Sequence, residues 1–271
     1  MPNIQIGHHL LHFQVEGAGP DVLMIHGMAS SHRMWERPMQ RLAAVGLRAW
    51  ALDLPGCGES SQPSEGWYTI ANLTAMVERF ADRVGIRRAV MIGNSMGGAI
   101  ALALADWRPQ LTSALVLVAP VVSGRLGLEL HLLFETPLGQ QLLNVAQRHN
   151  VLGRIGELPT VSVPWLAQRM NPALRRDVQD LAHATPEAAI GALRAVMDFD
   201  FTDRLATIHA PALVVVGTRD VTVPPSEGAL AAAGIPGARL VKLRGIGHQP
   251  VDECPEKFDR LLLQFLNESV R

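Results

Sequence analysis

The stretch Val90 to Ala105, VMIGNSMGGAIALALA, constrains the fold of this chain more than any other. Three apolar residues, Val90-Met91-Ile92, stop at a serine set among glycines, and an apolar, alanine-rich run of about three helical turns follows. A buried strand that turns sharply into a buried helix accounts for both runs. A turn that tight has no room for side chains at its flanks, which explains Gly93, Gly97 and Gly98. It also forces Ser95 into an unfavourable backbone conformation. Residues put under such strain and left polar between two buried elements point to chemistry.

The surrounding pattern repeats the same alternation. Strands are expected at Ile4–Ile6, Leu10–Val15, Val22–Ile25, Arg48–Leu52, Ala89–Ile92, Ala114–Val118, Ala212–Val216 and Arg239–Leu243. Helices are expected at Trp35–Val45, Thr69–Val84, Gly97–Trp107, Glu227–Ala233 and Pro255–Leu266. In the second of these, Ile70, Leu73, Val77, Phe80 and Val84 share one face. Alternating strands and helices predict an α/β fold with a mostly parallel sheet covered on both faces. From Val121 to Asp200 strand-like runs nearly vanish, and short helical pieces are cut by Pro137, Pro159, Pro164, Pro172 and Pro186. The simplest division is therefore a core of residues 1–120 and 201–271 with a helical cap at 121–200.

Composition narrows the function. The chain has 271 residues, 48% of them hydrophobic and 18% charged, which suits a globular protein with a large core. A formal net charge of -1 offers no basic surplus for phosphate backbones, so nucleic acid is not expected as a partner. The N-terminus carries no secretory pattern, and no long apolar run predicts a membrane span. Two distant cysteines, Cys57 and Cys254, suit a reducing, cytoplasmic setting. His8, His9 and His12 lie on two short strands without matching ligands, and no paired zinc motif occurs, so no metal site is expected. The sequence is silent on oligomeric state.

Serine chemistry needs a base, an acid and an oxyanion site. Gly93-Asn94-Ser95-Met96-Gly97 matches the G-x-S-x-G pattern with a strand before and a helix after. A serine hydroxyl becomes a nucleophile when a base takes its proton. His248, in Gly247-His248-Gln249-Pro250, is expected on a loop between the last strand and the last helix. Asp220, just beyond the strand Ala212–Val216, is expected to orient it. The position after Ala114–Val118, where a rival acid would stand, reads Ala119-Pro120. Backbone N–H groups of Met96 and of Met28, in His26-Gly27-Met28, are the expected oxyanion donors. His26 is expected to brace that loop, and Asp53 to bond the loop turning at Gly56 and Gly58.

On these motifs the chain resembles the α/β-hydrolase family over nearly its whole length. The matching pieces are His26-Gly27, Asp53-Leu54-Pro55-Gly56-Cys57-Gly58-Glu59-Ser60, the elbow at Ser95, Gly217–Asp220 and Gly247-His248. The resemblance implies an eight-stranded sheet flanked by helices, a cap after the sixth strand, a small-molecule substrate and no cofactor. A substrate pocket is expected from Gly27, Met28 and Asn94, with Phe134, Trp165, Met170 and Met197 from the insertion. The elbow also resembles that of meta-cleavage-product hydrolases, in which the residue at the Asn94 position helps bind substrate. The His26–Trp35 segment is more similar to carboxylesterases and enol-lactonases. The expectation is hydrolysis of a small to medium apolar ester or lactone through an acyl-serine. The alternatives are carbon–carbon hydrolysis of dienones and, from another class, a ligand receptor with little turnover.

Overall fold

The computed structural model describes residues 2–64, 66–127, 136, 141, 176, 180 and 186–269. Eight strands form one sheet: β1 (Asn3–Ile6), β2 (His9–Glu16), β3 (Asp21–Ile25), β4 (Arg48–Leu52), β5 (Ala89–Asn94), β6 (Thr112–Val118), β7 (Ala212–Gly217) and β8 (Arg239–Leu243). Their order across the sheet is β1-β2-β4-β3-β5-β6-β7-β8. β2 runs antiparallel to both of its neighbours, and the six strands from β4 to β8 are mutually parallel. The eight strands fall where the sequence places them, with the ends of several shifted by one or two residues.

Seven α-helices accompany the sheet among the described residues: α1 (Glu36–Ala44), α2 (Ile70–Val84), α3 (Met96–Trp107), α4 (Pro186–Met197), α5 (Pro225–Gly234), α6 (Pro250–Glu253) and α7 (Pro255–Ser269). Alternation along each strand sends its side chains to two separate cores. Leu23, Ile25, Leu115 and Leu117 pack with α2 and α3 on one face. Val22, Met24, Val116 and Val118 pack with α1 and α7 on the other. Covering on both faces explains why β5 and β7 are buried at every position.

Helix ends follow local chemistry. The Thr69 hydroxyl accepts the Asn72 N–H at 3.0 Å and starts α2, and Gly85 ends it at φ 82°. The expected helix at Trp35 begins one residue later, because His32–Trp35 forms a tighter 3₁₀ turn capped by the Ser31 hydroxyl. α5 starts earlier than expected, at Pro225, since a fixed φ and a missing N–H suit a first helical position. Pro250 likewise opens a short helix beyond His248. α4, whose start at Pro186 had read as a break, is a full helix of 12 residues.

The chain leaves β3 towards β4 on one side and crosses back to β5 on the other. The loops after β3 and β5 therefore diverge from a crevice at the carboxyl ends of the strands, where ligands bind in open α/β sheets.

Candidate active site

Ser95 stands at that crevice. Its backbone is left-handed, φ 54° and ψ -116°, between the end of β5 and the first residue of α3. Such a conformation is strained for a side-chain-bearing residue and persists because its surroundings hold it. Ser95 N–H donates to Val118 O at 2.9 Å, and Ser95 O accepts the N–H of Gly98 at 2.9 Å. A Cβ on Gly93 would collide with the Gly97 carbonyl, one on Gly97 with the carbonyls of Ile25 and His26, and one on Gly98 with Pro120. The three glycines thus let strand, helix and the loop after β3 meet backbone to backbone.

The loop after β3 closes over the elbow. A Cβ added to Gly27 would lie 3.3 Å from Ser95 Cβ and 3.1 Å from Asn94 Oδ1. His26 ties this loop down, as expected. Its Nε2 accepts the Leu54 N–H at 2.9 Å, and its Nδ1–H then donates to Gly27 O at 2.7 Å. Burial holds the His26 pKa below its ordinary value, with the charge of Asp53 opposing. Ala29, φ 51°, and Ala119, φ 43° and next to the Val118 that holds Ser95, share the left-handed backbone. The asparagine before the serine is buried, and its Nδ2 donates to Val118 O at 3.2 Å, so its observed partner is the end of β6.

On the far side of the crevice His248 and Asp220 meet. His248 Nδ1 lies 2.7 Å from Asp220 Oδ2. An ionised carboxylate only accepts, so Nδ1 carries the proton and Nε2 keeps its lone pair. The other oxygen, Oδ1, accepts the N–H groups of Thr222 and Val223, both at 2.9 Å. Asp220 is buried and the His248 side chain is 19% exposed, which leaves the ring open to a ligand. The acid loop and the histidine loop are laced together, with Arg219 N–H on Ile246 O at 2.8 Å and Gly217 too close to Ile246 and Gly247 for any side chain. Glu253 accepts the N–H groups of Gly247 and Gln249 on either side of the histidine.

Among the described residues of the 121–200 segment, Arg176 and Asp180 reach this rim. Arg176 binds both carboxylate oxygens of Asp252 at 2.8 Å and Gln249 Oε1 at 2.9 Å, beside the histidine. Asp180 accepts from Ser31 Oγ at 2.9 Å and from Arg33 at 3.1 Å, beside the loop after β3. Neither residue was singled out in the sequence, because their partners lie far along the chain. Met197 closes α4 with its carbonyl packed against Gly124. Phe134, Trp165 and Met170 lie outside the described residues.

His12, His32 and Asp53 form a buried trio whose donor atoms lie within 4.8 Å of one another, a grouping that the run His8, His9, His12 did not suggest. His12 Nδ1 lies 2.9 Å from Asn3 Oδ1, and its buried Nε2 has no hydrogen-bond partner among the described residues; the other two members are joined by hydrogen bonds. Asp53 Oδ1 accepts the N–H of His32 at 2.6 Å and its Nδ1 at 2.9 Å, and Oδ2 accepts Glu59 N–H at 2.9 Å. Burial works against the charged form of both partners. Their mutual hydrogen bond and charge outweigh it, so His32 titrates above and Asp53 below its ordinary value. Asp53 therefore bonds its own loop, as expected, and additionally holds the turn before α1.

The model of the alpha/beta hydrolase family matches residues 22–261, a span that runs from β3 into the first half of α7. The chain is 32% identical to a 2-hydroxy-6-oxononadienedioate/2-hydroxy-6-oxononatrienedioate hydrolase of Pseudomonas putida, over 94% of this chain and 91% of that protein. It is 30% identical to a pimeloyl-[acyl-carrier protein] methyl ester esterase of Nitrosomonas europaea, over 92% and 96% of the two chains. Among solved structures, the enol-lactonase of Burkholderia xenovorans LB400 superposes with a TM-score of 0.80 at 25% identity, covering 98% of this chain and all of that one (100%). The strained serine at the strand-to-helix turn, the paired histidine and aspartate across the crevice, and the match over most of the chain lead to one conclusion: this protein belongs to the alpha/beta hydrolase family.

Proposed function

We propose that the protein is a serine hydrolase that cleaves a small to medium apolar carboxylic ester or lactone through an acyl-serine intermediate. The observation that carries this reading is Ser95 at φ 54°, presented at the same end of the sheet as the His248–Asp220 pair. His248 Nε2 takes the Ser95 hydroxyl proton as Oγ bonds to the ester carbonyl carbon. The carbonyl oxygen, now negative, is met by the N–H groups of Met28 and Met96, with the N-terminus of α3 adding its favourable dipole. As the tetrahedral centre collapses, the carbon–oxygen bond breaks and the leaving alkoxide takes the proton from His248. Water then repeats the cycle on the acyl-serine and releases the acid. Asp220 keeps the imidazole in the productive tautomer and stabilises its charged form. Residues 121–200 serve as the cap, clasped to the rim through Arg176 and Asp180.

The test is multiple-turnover hydrolysis of p-nitrophenyl esters of increasing acyl length, with Ser95→Ala in parallel. Turnover by the wild type that the variant lacks supports the reading, and the length preference sizes the pocket. Activity that survives in the variant removes Ser95 as nucleophile. The Pseudomonas putida relative favours a second reading, hydrolysis of a carbon–carbon bond in a dienone. Dienone turnover without ester turnover would install it. Stoichiometric binding with neither reaction would favour a receptor.

A further inference from the structure

Tyr68, the single tyrosine of the chain, is 7% exposed, and its hydroxyl has no hydrogen-bond partner among the described residues. A buried phenol without a partner is costly and needs a reason. Its ring is wedged between core and cap. A Cβ on Gly191 of α4 would strike the ring at 2.6 Å, and one on Gly56 would overlap the hydroxyl oxygen. Two glycines, one on each side, thus make the slot that aims this hydroxyl.

Tyr68 lines a small nook of about 10 Å³ together with Ala29, Cys57, Met96, Ala188 and Ala192, and Gly56, which faces the hydroxyl, lines it too. Ala29 directly follows Met28, and Met96 directly follows Ser95, so the nook shares its walls with both proposed oxyanion loops. Its volume suits one oxygen- or methyl-sized group. Cys57 is no competing polar group. Burial, with the nearby charge of Asp53, pushes its thiol up to about 12. A lone water there would find one strong partner, fewer than the two to four that hold a buried water. Burial, then the neighbourhood of Cys57 and Glu187, also raises the Tyr68 pKa, so the group stays a donor at neutral pH. The nook is too small for an aryl ring. It is also too apolar for a carboxylate, which a single donor would leave largely unsolvated.

We propose that Tyr68 Oη–H is a specificity-determining donor that selects esters or lactones whose short acyl part carries one neutral accepting oxygen, an ether, ketone or hydroxyl, close to the scissile carbonyl. The proposal rests on the serine-hydrolase reading. It extends that reading from apolar acyl groups in general to small oxygenated ones.

The experiment compares two acyl groups of equal length, p-nitrophenyl methoxyacetate and p-nitrophenyl butyrate, in wild type and Tyr68→Phe. The ether ester is intrinsically more reactive, so the readout is the ratio of the two kcat/KM values, wild type over variant. The wild-type preference for methoxyacetate is expected to fall about tenfold in the variant, the size of one lost hydrogen bond. Butyrate turnover is expected to hold, and the melting temperature to hold or rise, because what is removed is a buried hydroxyl with no partner among the described residues. Ala192→Val, which fills the nook, is expected to erase the same preference while the hydroxyl stays in place. Both esters turning over with an unchanged ratio in Tyr68→Phe overturns the Tyr68 proposal alone. A lower melting temperature in that variant would mean that the hydroxyl holds structure, and would overturn it too. Turnover of neither ester by the wild type overturns the simple-ester reading and this proposal with it.

Discussion

The two sides of the crevice are built by different physics. On the nucleophile side, β3, β5 and α3 meet through glycines at backbone contact, every residue of β5 is buried, and Ser95 is strained. On the base side, Asp220 and His248 sit on loops and are joined by side-chain and backbone hydrogen bonds, with the histidine part exposed. The first side is made of packing that cannot relax, so its residues double as the core of the fold. The second is made of hydrogen bonds between a buried carboxylate and a part-exposed ring on two loops, where a lost partner is expected to cost rate more than it costs structure. Stability and activity should therefore separate when the two sides are perturbed in turn.

The largest expected effect is on the nucleophile side. Gly97→Ala drives a methyl into the Ile25 and His26 carbonyls, which belong to backbone and cannot swing away. Loss of the cooperative thermal transition, or of soluble protein, is expected, and a melt within a few degrees of wild type would break the comparison. On the base side, Asp220→Asn should keep the fold and lower kcat by about 10⁴-fold, because the amide can favour the wrong imidazole tautomer. Circular dichroism and steady-state kinetics on one preparation decide it, and a large drop in melting temperature would count against the separation.

A subtler contrast comes from the strain itself. Ser95→Gly removes the proposed nucleophile and relieves the left-handed backbone, worth about 1 kcal/mol against the added freedom of the unfolded chain. The variant should be inactive yet no less stable than Ser95→Ala, by denaturant titration of the pair. The smallest effect is in pH. His32 binds its proton more tightly when folded than its ordinary 6.5, so its contribution is full below about that pH and fades as pH rises through the folded value. His26 has the opposite sign, since its lowered pKa costs stability as pH falls below 6.5. The melting-temperature gap between wild type and His32→Gln should consequently be wider at pH 5.5 than at pH 8.5. A gap that stays constant would show that the His32–Asp53 pair is not what titrates.

Much of this was legible along the chain because its causes are local. Alternation placed all eight strands, most plainly β5 and β7, because a strand covered on both faces must read as a short apolar run. The elbow was legible because a tight turn admits small residues alone, and Gly93, Gly97 and Gly98 are the record of that restriction. α4 was missed as a full helix because Pro186 reads as a breaker in isolation and as a favourable first residue once the helix exists. Asn94 was legible as the residue before the serine, but not its Nδ2 donating one N–H to Val118 O across the neighbouring strand.

By itself the sequence determined the α/β core, the strained serine and the histidine and aspartate that could serve it, because glycine placement, periodicity and loop position act within a few residues. Tertiary structure alone decided that Asp220 and His248 are in contact, that Asp180 reaches Ser31 across 149 residues, that Asp53 pairs with His32, and that the Tyr68 hydroxyl is left unpartnered beside Ala29 and Met96. The physical reason is that hydrogen bonds and cavities belong to pairs of atoms brought together by packing, and no local pattern of side chains records which distant segment will arrive.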